Sequence, residues 1–316
     1  MVDPLVDFSQ YDNDGDGWVD TVFIIHAGPG AEFSGSPNQI WSHSWWTHDW
    51  PQVDGVRVGS YTSEPELWQT PGDMTHGVYA HELGHAFGLP DLYDYGYDSH
   101  GTGRWSLMSA GAWNGSLGNS PAHLDAWSRL YLEFTTATNA TYYNQTISLP
   151  NVQQNASGAI YRLNTAVSGE YFLLENRQKI GSDAALPGAG LLIWHIDENM
   201  GSNNNQCLSV NNWLCGLHYH VALEQADSLL DLEYNRSSGD AGDPFPGLAG
   251  NTAFTFTTSP NTSSYYGNVP PGFMLSAISA SASTMTAWLS PQGVPAPFAL
   301  AAPADNGLVA SINPVL

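Results

Sequence analysis

Basic residues are nearly absent from this sequence. Of 316 residues only 7 are Lys or Arg, against 30 Asp or Glu, giving a formal net charge of −23. A nucleic-acid binder must neutralise phosphates with Lys and Arg, so the composition argues against that partner. It argues against an anionic membrane surface for the same reason. Long apolar runs are also lacking, and none reaches the ~20 residues a helix needs to cross a bilayer. The opening Met1-Val2-Asp3-Pro4 has neither the basic nor the apolar region of a signal peptide, so an export signal is expected elsewhere. Cysteine is down to two residues, Cys207 and Cys215, in a segment rich in Asn and Ser. Two sulfurs cannot complete a structural zinc site. In an exported protein they would close a small surface loop as a disulfide; otherwise they are free thiols. Charged residues are only 12% of the chain while 12 residues are Trp, which leaves much to bury and excludes disorder.

The chain is long enough for two domains. Residues 18–28 form a β-branched and aromatic run that predicts a buried strand, and residues 56–61 a second one. From Met74 the apolar spacing of Val78, Tyr79, Leu83, Phe87 and Leu89 predicts a helix, with Asp73 as its N-cap and Gly88 and Pro90 at its end. Ser120-Pro121 predicts the start of a second helix carrying Leu124, Trp127, Leu130 and Tyr131. After residue 138 short β-type runs follow one another at 159–163, 171–174, 190–195 and 219–223. This predicts a catalytic domain over 1–138 and an all-β domain over 139–291. The Pro- and Ala-rich stretch 292–316 reads as a linker into the start of a further, truncated β-domain.

The residues that carry chemistry are His81-Glu82-Leu83-Gly84-His85, followed by Gly88, Pro90 and Asp91. On a helix, positions i and i+4 share a face, so His81 and His85 can present two imidazoles to one zinc ion. Glu82 projects beside that pair, where a general base belongs. Gly88 lets the chain turn back, and Asp91 can then supply an oxygen as third ligand. Glu175, a carboxylate inside an apolar run, is the substitute third ligand, because a buried ionised group needs a partner. Zinc with an open position lowers the pKa of its water to about 7, so Glu82 could take the proton as the water attacks a carbonyl. Tyr93, Tyr95, Tyr97 and His100 are the candidates for stabilising the resulting oxyanion.

Carboxylates recur at calcium-loop spacing in Asp12, Asp14, Asp16 and Asp20, with the Trp18 carbonyl as a backbone ligand. Phe23 occupies the place where an EF-hand has Glu, so this is not a helix-loop-helix. Asp240 and Asp243, with Asp227, Asp231 and Glu233 upstream, suggest a second calcium site; the plainer reading is a solvated acidic loop. His26, His43, His48 and His76 read as ordinary core or cleft residues.

The extended zinc pattern resembles the metzincin group of metallopeptidases, although those usually have His where Asp91 stands. Trp105-Ser106-Leu107-Met108-Ser109-Ala110-Gly111 resembles the group's tight turn, whose methionine, here Met108, lies beneath the metal. Residues 81–94, 105–115 and 120–128, with 11–20, 170–178, 190–198 and 239–247, are similar to the immune inhibitor A family of secreted bacterial metallopeptidases. The likeness covers most of residues 5–290. It implies an α+β fold: a metzincin-like catalytic domain with a mixed sheet and an active-site helix, followed by a sandwich-like all-β domain. It also implies a bacterial, extracellular zinc endopeptidase acting on proteins or peptides, often with calcium, and opening strands that precede Asp3. Two other readings exist. A calcium-dependent adhesion or carbohydrate-binding module suits the β-rich half but leaves the zinc pattern unexplained. An inactive fragment of the peptidase keeps the pattern without the chemistry. Oligomeric state is not legible.

Overall fold

Among the described residues, turn residues cut the chain into short strands, with three α-helices between them. The structure, a computed structural model, describes residues 3–140, 144–155, 159–204, 218–267 and 272–291. Cys207, Cys215 and the stretch 292–316 lie outside the described residues.

The first half contains β1 (Trp18–Val19), β2 (Val22–Pro29), α1 (Ala31–Ser34), β3 (His43–Trp46), β4 (Gln52–Val53), β5 (Val56–Val58), β6 (Ser60–Leu67), α2 (His76–Ala86) and α3 (Ala126–Tyr131). The strand expected over 18–28 is two strands. Asp20 N–H is drawn to the Tyr11 carbonyl at 2.9 Å, so the chain breaks there. β1 then pairs in parallel with β5, and β2 in parallel with β6. The run expected over 56–61 likewise divides between β5 and β6. The expected burial also fails at Phe23, Ile24 and Ile25, which are 40%, 44% and 49% exposed. The cause is topological. β2 ends its sheet, whose order is β2-β6-β3, so one edge has no neighbouring strand among the described residues.

Both helices begin later than their sequence signals suggest. Thr75, not Asp73, occupies the N-cap of α2. The Asp73 carboxylate instead accepts the N–H groups of Trp68, Gln69 and Thr70, closing the preceding turn. α3 starts at Ala126 because the Asp125 carboxylate accepts the Ser128 N–H at 2.9 Å. Ser120, the expected cap, donates its hydroxyl to the Ser182 carbonyl.

The second half contains β7 (Ala137–Asn139), β8 (Gln145–Pro150), β9 (Ile160–Asn164), β10 (Glu170–Arg177), β11 (Gly190–Asp197), β12 (Val221–Leu223), β13 (Phe273–Ser276) and β14 (Thr284–Pro291). Five form a sheet in the order β12-β11-β10-β9-β7, and three form another in the order β13-β14-β8. Every residue of β10 and β11 is buried, so both faces of their sheet are covered. One face packs Phe172, Leu174, Leu191 and Ile193 against Phe273, Leu275, Met285 and Leu289 of the smaller sheet. The other packs Leu173, Leu192 and Trp194 into one core with Leu89, Leu92, Trp105, Met108 and Trp127. That core crosses residue 138 without interruption. Each large apolar side chain fully buried there contributes about 1.5–3 kcal/mol, so the floor beneath α2 rests on the β-rich half.

Candidate metal centre

α2 presents His81 and His85 on one face, as the i, i+4 spacing requires. Each ring is oriented by a carbonyl. His81 Nδ1 lies 2.9 Å from the Leu107 oxygen and His85 Nδ1 lies 2.8 Å from the Leu89 oxygen. A carbonyl only accepts, so Nδ1 carries the proton in each neutral ring and Nε2 keeps its lone pair. Gly88, at φ +92°, turns the chain after the helix. Asp91 then returns, and its Oδ1 lies 3.1 Å from His81 Nε2 and 3.2 Å from His85 Nε2. The two Nε2 atoms are themselves 3.2 Å apart. Three lone-pair atoms thus form a nearly equilateral triangle. Tetrahedral zinc with bonds of about 2.0–2.2 Å spaces its donors about 3.3–3.6 Å apart, close to these separations. Asp91 Oδ1 is buried and has no hydrogen-bond partner. Three acceptors this close repel one another unless a cation or a proton lies between them, so the residues fit a metal.

Burial by itself would raise the Asp91 carboxyl, but the two imidazoles overcome it and hold it far below the usual carboxylate range. For His85, burial works against the charged ring, and the Asp91 carboxylate 3.2 Å away outweighs it, so its pKa rises above the ordinary 6.5. Glu82 is buried beside the triangle at 6% exposure. Burial raises its pKa, and the positive character of His81 and His85 opposes the rise.

Met108 lies under the helix, fully buried. A Cβ on Gly84 would sit 2.5 Å from Met108 Sδ, so glycine at the centre of the motif lets the helix rest on that sulfur. Met108 is also tied to the ligand loop, since its carbonyl accepts the Leu92 N–H at 2.8 Å. Above the triangle opens a cleft of about 520 Å³. Trp41, Trp45, Tyr95 and Tyr97 line it with largely exposed rings. Of the expected oxyanion groups, Tyr95 donates to Asp91 Oδ2 at 2.6 Å and Tyr93 stacks on His81. His100 also lines the cleft, and burial lowers its pKa.

Glu175 is not a substitute ligand. Its carboxylate lies between Arg129 Nη2, at 2.5 Å, and Arg177 Nη1, at 3.2 Å, in a closed ionic network. Sequence reasoning missed Glu64. It lies on β6, fully buried, with neither oxygen hydrogen-bonded. Burial first, then the charges of Glu82 and Glu32, push its pKa up to about 7. The available signal was a carboxylate in a strand adjoining the cleft.

Elsewhere, Asp12, Asp14 and Asp16 converge, as do Asp227, Asp240 and Asp243. Asp20 stands apart from the first group, because its carboxylate accepts the Asn13 side-chain amide. Asp231 is paired with Arg236 and Glu233 accepts from Gln225, so neither joins the second group. His26, His48 and His76 belong to no such group among the described residues, whereas His43 lines the cleft.

A sequence profile of the immune inhibitor A peptidase M6 catalytic domain matches residues 6–141. Immune inhibitor A of Bacillus thuringiensis subsp. alesti is 36% identical over 157 residues, covering 42% of this chain and 22% of that protein. The pre-pro-metalloprotease PrtV of Vibrio cholerae serotype O1 strain M66-2 is 31% identical over 158 residues, covering 42% of this chain and 17% of that protein. The matched stretch thus spans about a fifth of those relatives. The His81, His85 and Asp91 triangle lies within the profile match, so the stretch that carries the site is the one that is similar to the catalytic domain of the immune inhibitor A peptidases, M6.

Proposed function

We propose that this chain is the catalytic part of a zinc-dependent endopeptidase that cleaves proteins outside a bacterial cell. The observation that carries the reading is the triangle itself: His81 Nε2, His85 Nε2 and Asp91 Oδ1 lie 3.1–3.2 Å apart, and each imidazole Nδ1 faces a carbonyl. His81, His85 and Asp91 would hold the ion. Bound there, zinc supplies a Lewis acid for a water and for the scissile carbonyl. Glu82 is the general base. Its raised pKa brings it nearer to working pH, which favours both taking the water proton and returning it to the leaving amine. β3 ends its sheet, and its residues His43, Ser44 and Trp45 line the cleft. An extended substrate can hydrogen-bond as an added strand to this edge, which has no neighbour among the described residues, and this orients the scissile bond. An open cleft of this kind accepts the middle of a chain, hence endopeptidase.

Calcium is assigned a structural role in the same proposal. The Asp12, Asp14 and Asp16 group would hold one ion, and the Asp227, Asp240 and Asp243 group a second. Burial and the neighbouring acids Asp240 and Asp227 push the Asp243 carboxyl up to about 7, a strain that a divalent cation would relieve.

The test is metal content together with hydrolysis. Purified protein should contain one zinc per chain at the His81 site and should hydrolyse casein. A zinc-selective chelator should abolish the activity, and added zinc should restore it. Zinc-free protein with undiminished hydrolysis, or zinc-replete protein with none, would overturn the reading.

A further inference from the structure

The two oxygens of Asp91 have different surroundings. Oδ1 closes the triangle with the imidazoles and has no hydrogen-bond donor. Oδ2 accepts the Tyr95 hydroxyl at 2.6 Å. A phenol donating to a carboxylate at that distance is a charge-assisted bond, about twice as strong as a neutral one. Tyr95 is 52% exposed at the cleft, so packing alone does not hold its ring. Its backbone is fixed from another part of the chain. The Tyr95 N–H donates to the Asn204 carbonyl at 2.9 Å. The Asn204 side chain donates to the Tyr93 carbonyl at 3.2 Å, and the Asn203 side chain to the Leu92 carbonyl at 3.2 Å. Three contacts from residues 203 and 204 thus strap down the loop that carries the third ligand.

We propose that Tyr95 is a positioning residue that holds Asp91 to ligation through one oxygen. A free carboxylate can give a metal one oxygen or two, and it can rotate about its last bond. With Oδ2 engaged by the phenol, only Oδ1 faces the imidazoles, and the rotation that would present both oxygens breaks the Tyr95 bond. The rest of the metal's coordination sphere is left to water and substrate, as a catalytic zinc site requires. Tyr95 thereby does for an aspartate ligand what the Leu107 and Leu89 carbonyls do for the two histidines. Outer partners of this kind typically account for 10–100-fold in metal affinity.

The inference rests on Asp91 being a zinc ligand, and the experiment separates the two. Tyr95→Phe removes one exposed hydroxyl and leaves the ring, so folding should be preserved; far-UV circular dichroism checks this. Zinc affinity is measured by competition with a chromophoric chelator for the wild type, Tyr95→Phe and Tyr97→Phe. Tyr95→Phe should bind zinc about 10–100-fold more weakly, while Tyr97→Phe, a cleft phenol with no bond to the ligand set, should match the wild type. Cobalt substituted for zinc gives a second readout. The visible spectrum of the Tyr95→Phe protein should weaken towards that of a higher-coordinate ion, because both Asp91 oxygens become available. A wild type that takes up no stoichiometric zinc would defeat the zinc reading itself. A wild type that binds zinc, with a Tyr95→Phe variant within twofold of it and showing the same cobalt spectrum, would defeat only the role of Tyr95.

Discussion

Glu175→Gln is expected to be among the most damaging single substitutions in this protein while leaving the metal centre intact. Glu175 sits on β10 with no exposed side-chain surface. One oxygen accepts from Arg129 on α3 at 2.5 Å. The other accepts from Arg177 at 3.2 Å and from the Trp194 indole at 2.8 Å. Arg177 in turn donates to both oxygens of Asp183, at 2.6 and 2.7 Å. Two guanidinium groups and two carboxylates therefore balance inside the fold. Gln would keep one acceptor, turn an N–H₂ towards a guanidinium, and leave one buried positive charge uncompensated. Breaking a buried pair from one side costs about 3–5 kcal/mol, against a total stability on the order of 5–15 kcal/mol. At about 2 °C per kcal/mol for a chain of this size, the melting temperature should fall by roughly 6–10 °C. Calorimetry or thermal circular dichroism at fixed zinc and calcium reads this directly. The double variant Glu175→Gln/Arg129→Met removes one charge of each sign and leaves Arg177 with Asp183. It should therefore be less damaging than the sum of the two single changes. A Glu175→Gln protein melting within about 2 °C of the wild type, or a double variant that is strictly additive, would refute the reasoning.

Three other outcomes are expected. Glu82→Gln should retain one zinc per chain and lose at least about 10²–10⁴-fold in kcat, the usual weight of a general base; wild-type turnover in a zinc-replete variant would sink the assignment. At fixed zinc, a hundredfold excess of calcium over Kd should stabilise the protein by about 2.7 kcal/mol, and Asp14→Asn/Asp16→Asn should diminish that response; a melting curve indifferent to calcium would make the loop only a polar turn. The last concerns pH. In the metal-free protein the His85 pKa is raised, since the nearby Asp91 carboxylate outweighs the burial that would lower it. A raised folded pKa gives stability that is complete below the unfolded value near 6.5 and is lost as pH rises through the folded value. Chelated protein should accordingly melt lower at pH 8 than at pH 6. Zinc should remove this dependence by taking the proton's place, and a His85→Asn variant should lack it; a chelated wild type with a flat profile across that range would contradict the account.

Some of this molecule is dictated locally and can be read from the sequence. His81 and His85 share a face because a helix repeats every 3.6 residues, and Gly88 turns the chain because it alone tolerates φ +92° without strain. Asp91 follows close enough in sequence to return to the same point. The three acids Asp12, Asp14 and Asp16 converge for the same reason, over a few residues of a tight loop. The runs at 171–174 and 190–195 read as strands from their apolar side chains, and they lie in β10 and β11, which are fully buried. Wherever the outcome depended on distant chain, the sequence was silent or pointed elsewhere. Phe23, Ile24 and Ile25 have the composition of a buried strand, but exposure depends on how many strands pair beside β2, and among the described residues only β6 does. Asp73 could cap a helix or close a turn, and three N–H groups of the preceding segment decided for the turn. Glu175 is a carboxylate in need of a partner in either reading; the approach of Arg129, 46 residues away along the chain, and of Trp194 placed it in an ionic network with Arg177. Tyr95 lies four residues from Asp91, yet its placement comes from Asn204. A spacing rule describes what a few successive bonds allow. The energy of a buried charge, or of an uncovered edge, is set by whatever the rest of the chain brings alongside, and that appears only once the fold is closed.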